Sequence, residues 1–469
     1  MKKIIAFIAY NYFLTQLTFA QNPQFSELLN YYNSEKQFNG VVLVATKGEI
    51  DFLSSSGIGN RQNGSVLNTK SKFKIASMTK AFTAVLVMKL VEENRINLDD
   101  KIGKYLPKYQ GEGKDEVTIH QLLTYSSGIE NKLDALGMTP YQTDKSLDEF
   151  IEAYCSGKLV FTPGEKSAYG NTEYILLQKI IETVSENSYE TYLAKIILEP
   201  LEMQNTQLVV SKEINAGLLP SYTYKDSLGI FVNDAPYYPE LYFGAGALYA
   251  TIEDLLKFDQ ALFNYKLLNK PSTERLLTIH PELGSTAYGL WGSTGWGNFS
   301  EPFYYRTGAI LGSNANWIHT MEKGKTIIVL SNTNATNLFE LSEKLYLLSI
   351  GKEVDIPPSD NQKTTINSTT DEIKGTWQID LRPTPNSEPY LMDFYITEVS
   401  GEEFKGEFYG SPFSNGMLNT DWDKIQFAFT TNDSSNTYYH SGYFLDNKIY
   451  GISYSEGRKF ISYWTGKKK

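Results

Sequence analysis

Hydrophobic positions change their period along the chain. Val41-Val42-Leu43-Val44, after Gly40, is a short continuous apolar run, the pattern of a buried strand. Lys47-Gly48 supplies a turn and Ile50 to Leu53 a second strand, so a hairpin is predicted. From Ser77 to Glu93 the spacing is helical, and Ala81, Phe82, Ala84, Val85, Leu86, Val87, Met88, Leu90 and Val91 make it apolar nearly all round. A helix with so little polar face lies inside the protein. Helical spacing returns at 118–125, 147–156, 172–186, 189–197 and 252–264, and strands at Trp317 to His319 and Thr326 to Leu330. Strands at both ends with helices between predict a sheet whose edges come from both termini of the domain.

Beyond residue 370 the period becomes two: Phe404-x-Gly406-x-Phe408, Ile425-x-Phe427-x-Phe429, Ile449-x-Gly451-x-Ser453. Asn415-Gly416, Thr431-Asn432-Asp433 and Asp446-Asn447 read as turns between them. About eight short strands in such a stretch predict a small antiparallel barrel or sandwich. Glu353-Val354-Asp355-Ile356-Pro357-Pro358-Ser359-Asp360 and the Asn, Thr and Ser that follow have linker composition. At the other end, Met1-Lys2-Lys3, the apolar run Ile4 to Ala9 and the close Thr18-Phe19-Ala20 read as a cleavable export signal. Asn11, Thr15 and Gln16 interrupt that run, leaving it short of the roughly 20 apolar residues of a span. The predicted organisation is a signal at 1–20, a mixed domain at 21–352, a linker at 353–370 and a β domain at 371–469. A periplasmic or secreted protein follows, with no integral membrane span after cleavage.

Composition narrows the chemistry. The net charge is −11, from 43 basic against 54 acidic side chains, which leaves no basic surplus for nucleic acid. One cysteine, Cys155, excludes intrachain disulfides and a cysteine-based zinc site. The four histidines, His120, His280, His319 and His440, are scattered, so neither a metal site nor a cofactor is expected. The oligomeric state is open.

A serine nucleophile is the natural candidate for an exported hydrolase. G-x-S-x-G is absent, and no histidine sits in a triad-like context. Ser-x-x-Lys occurs at Ser71–Lys74, Ser77–Lys80 and Ser349–Lys352. Only Ser77 stands at the first turn of the most apolar helix. Residues three apart share a helix face, so Lys80 can reach the Ser77 hydroxyl. In a dry site its amine loses its charge and can accept the serine proton. The same residues also suit an N-cap serine with a solvated lysine one turn on. Phe161-Thr162-Pro163-Gly164 turns the chain and delivers Tyr169 and Asn171 just before the helix at 172–186. In an extended segment i and i+2 face the same way, so the phenol and the amide can project together; a turn with an N-cap asparagine is the plainer alternative. Arg306-Thr307-Gly308-Ala309 places a cation and a hydroxyl at a strand start, suited to binding a carboxylate, though on these residues alone a surface arginine in a loop is the plainer reading.

In order, Ser77-Met78-Thr79-Lys80, Tyr169-Gly170-Asn171 and Arg306-Thr307-Gly308 resemble the motifs of the serine β-lactamase-like superfamily, nearest its class C β-lactamase, D-alanyl-D-alanine carboxypeptidase and esterase branch. Phe73 to Ser77, Ile96 to Ile102, Thr118 to Ile129, Pro200 to Met203, Ala245 to Tyr249 and Leu330 to Asn332 match supporting phrases. The resemblance spans roughly residues 25–350. It implies an α/β (α+β) fold, an antiparallel sheet flanked by helices plus a mostly helical lobe. It implies Ser77 as acylated nucleophile, Lys80 as base, Tyr169 as proton relay and Asn171 as positioner of substrate and lysine. Arg306, Thr307, Gly308 and Ala309 would bind substrate, and the N–H groups of Ser77 and Ala309 would form the oxyanion hole, each such donor contributing about 3–4 kcal/mol. The third motif usually begins with Lys or His. Arginine there keeps its proton and grips an anion. The β domain, from Gly375-Thr376-Trp377, resembles lipocalin-like domains appended to such hydrolases. The expected function is an exported serine hydrolase cleaving an amide or ester of a small-molecule or peptide substrate (a D-amino-acid peptide, a β-lactam or a small ester). A transpeptidase, or a non-catalytic binding or sensor protein on the same fold, is the alternative.

Overall fold

The computed structural model describes residues 23–357 and 373–469, except 385–386, 420–423, 434–435 and 446. The export signal at 1–20 and most of the linker lie outside them. The described residues form two compact units, considered one at a time.

The first unit is built on a seven-stranded antiparallel sheet. Its strands in chain order are β1 (Gly40–Thr46), β2 (Glu49–Ser56), β3 (Thr286–Ala287), β4 (Leu290–Ser293), β5 (Phe303–Ile310), β6 (Ser313–Thr320) and β7 (Lys325–Ser331). Across the sheet they run β3-β4-β5-β6-β7-β1-β2. The hairpin expected at 40–53 is β1–β2. Both sheet edges were expected to come from the domain's termini, and only β2 does so. The C-terminal β7 lies inside, paired with β1 from Gly40↔Ser331 to Thr46↔Lys325. The apolar run explains this: Gly40 to Ala45 are all buried, and a strand covered on both faces belongs at a sheet's centre.

Alternation sends neighbouring residues of β1 and β7 to opposite faces. Val42, Val44, Ile327 and Val329 meet α1 (Pro23–Glu35) and α5 (Leu338–Ser349) through Phe25, Leu28, Leu341 and Leu345. Val41, Leu43, Ile328 and Leu330 meet the larger core, which holds α2 (Thr79–Glu92), α3 (Thr172–Ser185) and α4 (Ile252–Phe263). Eleven of the fourteen residues of α2 are buried, as its all-round apolar pattern requires. The helical stretches at 147–156 and 189–197 each change pitch midway, α-helical to Phe150 and Leu193 and then a wider π-type turn.

The second unit is a barrel, not a sandwich. Eight antiparallel strands follow in chain order, and Gly375–Asp380 closes on Phe460–Lys468. Its interior is packed with rings, among them Trp377, Phe394, Phe404, Phe408, Phe413, Phe427, Phe429, Phe444 and Trp464. Asn415-Gly416 is no turn: both lie within the strand Ser411–Asn419. A Cβ at Gly416 would stand 2.5 Å from the Phe404 carbonyl and 2.6 Å from its ring, so the glycine makes room for an inward phenylalanine.

Candidate active site

The chain enters α2 through a tight turn. Ala76, wholly buried, adopts φ 47°, a left-handed conformation that L-residues rarely hold. Its carbonyl accepts from Thr79 Oγ1 at 2.7 Å. The turn sets Ser77 at the mouth of α2 and sends Lys80 back beneath it. Lys80 is fully buried. Its Nζ donates to Asn171 Oδ1 (2.7 Å), the Ala245 carbonyl (2.9 Å), Tyr169 OH (3.0 Å) and Ser77 Oγ (3.2 Å). Four acceptors surround an amine that has at most three protons, and no carboxylate pairs with it among the described residues. Burial, helped by the Arg306 charge, takes its pKa down to about 8.

Tyr169 and Asn171 converge from the other side, as their i, i+2 spacing predicts. Tyr169 OH lies 2.8 Å from Ser77 Oγ. Its ring is 42% exposed, while its hydroxyl is enclosed by Ser77, Lys80 and Arg306. Burial works to raise its pKa, but the two cations and the hydrogen bonds of Ser77 and Lys80 outweigh it, bringing the phenol down to about 7. Asn171 precedes α3 without capping it. Its amide spans from Lys80 to Tyr141 OH, to which Nδ2 donates at 3.3 Å.

The third motif lies on β5, whose inner residues Arg306, Gly308 and Ile310 alternate with exposed Thr307 and Ala309. Gly308 allows the strand to touch the turn that carries Ser77: a Cβ there would fall 2.2 Å from the Ile75 carbonyl. Ile310 and Ser313 close the hairpin with β6, so the N–H of Ala309 points away from its partner Asn314, toward the edge of β5 that β4 leaves unpaired beyond Tyr305. Arg306 has other partners than the expected substrate carboxylate. It has no exposed surface. Its Nε donates to the Ser77 carbonyl (2.9 Å), Nη1 to Tyr125 OH (3.1 Å) and Nη2 to Tyr169 OH (3.0 Å). The guanidinium also lies 4.4 Å from the centre of the Trp291 ring. Burial opposes its charge, but the phenols of Tyr125 and Tyr169 more than compensate, so it stays protonated.

The three plainer alternatives do not match the geometry: Lys80 is buried, Asn171 holds the N-cap position but its side chain makes no cap hydrogen bond, and Arg306 is buried. Ser71 and Ser349 take no part. Ser71 receives the Asn68 N–H, and Ser349 Oγ donates to the Tyr346 carbonyl. The histidines bond elsewhere, His120 to Tyr288, His319 to Asp259 and His440 to Thr431 and Ser453. Cys155 is buried, and burial raises its thiol pKa. Among the described residues no cluster of His, Cys, Asp or Glu could hold a metal ion. Tyr125, Tyr141, Trp291 and the Ala245 carbonyl belong to the site yet were not singled out. Tyr125 and Ala245 lie in phrases that carried the resemblance. Tyr125 has φ 56°, left-handed like Ala76, and accepts from Arg306.

The Beta-lactamase family model matches residues 25–352. Penicillin-binding protein 4* of Bacillus subtilis is 27% identical over 375 residues, 73% of this chain and 79% of that protein. Putative penicillin-binding protein PbpX, also of Bacillus subtilis, is 28% identical over 329 residues, 69% of this chain and 78% of its own length. Among solved structures, the octameric penicillin-binding protein homologue from Pyrococcus abyssi covers 95% of this chain and 99% of its own, with a TM-score of 0.63 at 23% identity. The D-amino acid amidase from Ochrobactrum anthropi, complexed with D-phenylalanine, covers 70% of this chain and 99% of its own, with a TM-score of 0.61 at 20% identity. With the family matched over more than two thirds of the chain and Ser77 and Lys80 in contact, the chain belongs to the Beta-lactamase family and is a serine hydrolase of the β-lactamase and penicillin-binding type.

Proposed function

We propose that this hydrolase is exported and cleaves the amide or ester bond of a D-amino-acid peptide or a related small acyl compound through an acyl-enzyme on Ser77. The observation that carries the reading is the buried, carboxylate-free Lys80 amine in contact with Ser77 Oγ, Tyr169 OH and Asn171 at once. The Lys80 amine, down to about 8, and the Tyr169 phenol, down to about 7, are hydrogen-bonded at 3.0 Å, so a proton can pass between them near neutrality. The pair takes the Ser77 proton as Oγ attacks the carbonyl carbon. The N–H groups of Ser77 and Ala309 hold the oxyanion. Tyr169 returns the proton to the departing amine or alcohol, the tetrahedral species collapses, and the acyl group stays on Oγ. Water then repeats the sequence: the pair accepts its proton, and Ser77 leaves as alcohol.

The likeness to a D-amino acid amidase supports D-amino-acid substrates. The exposed face of Tyr169, 5.5 Å from the Trp291 ring, supports an apolar acyl or side-chain moiety at the cleft wall. Export rests on the first twenty residues, and the domain division proposed from the sequence is 21–352, 353–370 and 371–469. A fluorophosphonate probe, read by intact mass, is expected to add one phosphonyl group to the wild type and none to Ser77→Ala. A panel of D-alanyl-D-alanine peptides, small esters and nitrocefin then ranks substrates. An unlabelled wild type, or adduct formation that survives Ser77→Ala, refutes the mechanism.

A further inference from the structure

Behind the catalytic cluster lies a carboxyl group that the mechanism leaves unused. Glu173, in the first turn of α3, is 3% exposed. Its Oε1 accepts from Ser127 Oγ at 2.8 Å, and its buried Oε2 has no hydrogen-bond partner. Oε2 lies beneath the segment that carries the phenol and the amide: a Cβ built on Gly170 would stand 3.2 Å from it. Ser127, its one side-chain donor, also accepts the Ile129 N–H and follows Tyr125 by two residues. The carboxyl therefore joins the base of Tyr169-Gly170-Asn171 to the turn that supplies Arg306 with its Tyr125 acceptor.

We propose that Glu173 is a positioning residue for acyl transfer: fixed by Ser127 beneath the Tyr169–Asn171 segment, its carboxyl biases the charge state of the Lys80 amine. This rests on the acyl-enzyme reading above. Burial holds the Glu173 acid up, to about 7, against the pull of its own helix N–H, Ser127 and Lys80. The groups that face it are Lys80 from α2, Asp134 from the helix Lys132–Leu136, the Tyr109 phenol and the Cys155 thiol. None of these is a paired cation that would hold it ionised at all pH. An ionised Glu173 favours the ammonium form of Lys80 and delays release of its proton; a neutral Glu173 does not. The carboxyl thus sets where the catalytic pair becomes basic, without touching substrate.

The test is the pH dependence of fluorophosphonate labelling of Ser77. In that reaction the Ser77 Oγ–P bond forms, fluoride leaves and the serine proton passes to the Lys80–Tyr169 pair. Glu173→Gln keeps an acceptor for Ser127 and removes the titrating charge. Its acid limb is expected at lower pH than the wild type, with labelling at least about twofold faster on the rising limb, a shift of about 0.3 pH unit. Ser127→Ala withdraws the donor that stabilises the ionised carboxylate and is expected to shift the limb the same way. Melting temperatures establish that both variants are folded, and if Glu173→Gln is not, Ser127→Ala decides by the same shift or its absence. Profiles that superimpose on the wild type, or shift to higher pH, overturn the inference while leaving the acyl-enzyme intact. A wild type that does not label at all overturns both.

Discussion

Replacing Arg306 tests what this residue does in place of the usual lysine or histidine. Its Nη2 is 3.0 Å from Tyr169 OH, which places the charge centre about 4 Å from the phenol oxygen. At an effective dielectric near 20, a unit charge at that distance is worth about 4 kcal/mol. The Tyr169 hydroxyl is enclosed, but the residue as a whole is 42% exposed, so solvent over the ring screens the interaction in part. Discounting to about a third leaves ~1.4 kcal/mol, one pH unit on the shared proton of the pair. Arg306→Met keeps the bulk and removes the charge. Its acid limb of kcat/KM is expected to move up by about one pH unit, with about five- to tenfold less activity at pH 7 and recovery toward pH 9. Arg306→Lys keeps a cation but loses the planar fork that reaches three oxygens, so its limb lies between the two. The assay uses a neutral ester and the same ester bearing a carboxylate. Equal losses on both, recovered at high pH, place the arginine on the catalytic pair. A loss confined to KM for the carboxylate substrate, with an unmoved limb, refutes this account and restores the anion grip expected from the sequence.

Two further predictions concern packing and protons elsewhere. Gly308→Ala drives a methyl to 2.2 Å from the Ile75 carbonyl, so either β5 or the nucleophile turn must yield. The expected cost is about 1–3 kcal/mol, seen as a lower melting temperature together with slower Ser77 labelling, and a variant with unchanged values in both would remove the close approach from the argument. In the barrel, burial takes His440 down to about 4 from the usual 6.5. It is 4% exposed, hydrogen-bonded to Thr431 and Ser453, and stacked on Phe429 at 4.5 Å. Because the unfolded chain takes up this proton first, stability is lost as pH falls from about 6.5 to 4, by up to about 3 kcal/mol. His440→Gln is expected to flatten that loss in denaturant melts of the full chain, and an unaltered slope between pH 6.5 and 4 would contradict it.

How much of this the sequence disclosed follows from the range over which each contact acts. Ser77 with Lys80, and Tyr169 with Asn171, are local pairs whose spacing settles their common face, so both were legible before any fold. What Arg306 faces depends on β5 docking against residues 75–77 and on Tyr125, some 180 positions earlier. No spacing rule reports such a contact, so the sequence alone shows a cation free for substrate and not the three oxygens it meets. Glu173 was hidden for a related reason: in the first turn of a helix an acid is ordinarily favoured by the dipole and solvated, and only the tertiary burial of α3's first turn makes it unusual. The place of β7 differs from expectation because an apolar run reports burial on both faces but not which strands pair along its edges. Asn415-Gly416 carries the strongest short hairpin signal, yet there the glycine answers to the bulk of Phe404 across the strand pair.

The arrangement is coherent as one electrostatic unit. Arg306 cannot give up its proton, and it sits in a dry site without a carboxylate of its own among the described residues. A buried cation demands a counter-charge close by. Tyr169 is the group able to provide it, which is why its phenol titrates low although burial opposes ionisation. In the proposed acylation the Ser77 proton moves onto the Lys80–Tyr169 pair and cancels that negative charge just as the oxyanion forms on the other side of Ser77. The negative charge is relocated, not created, across a few ångströms spanned by fixed hydrogen bonds. A lysine in the third motif could surrender its proton and let the phenol stay neutral. An arginine cannot, and the phenol beside it is lowered to about 7, while Glu173, its acid held up to about 7 by burial, adds less negative charge behind the cluster than an ordinary carboxylate would.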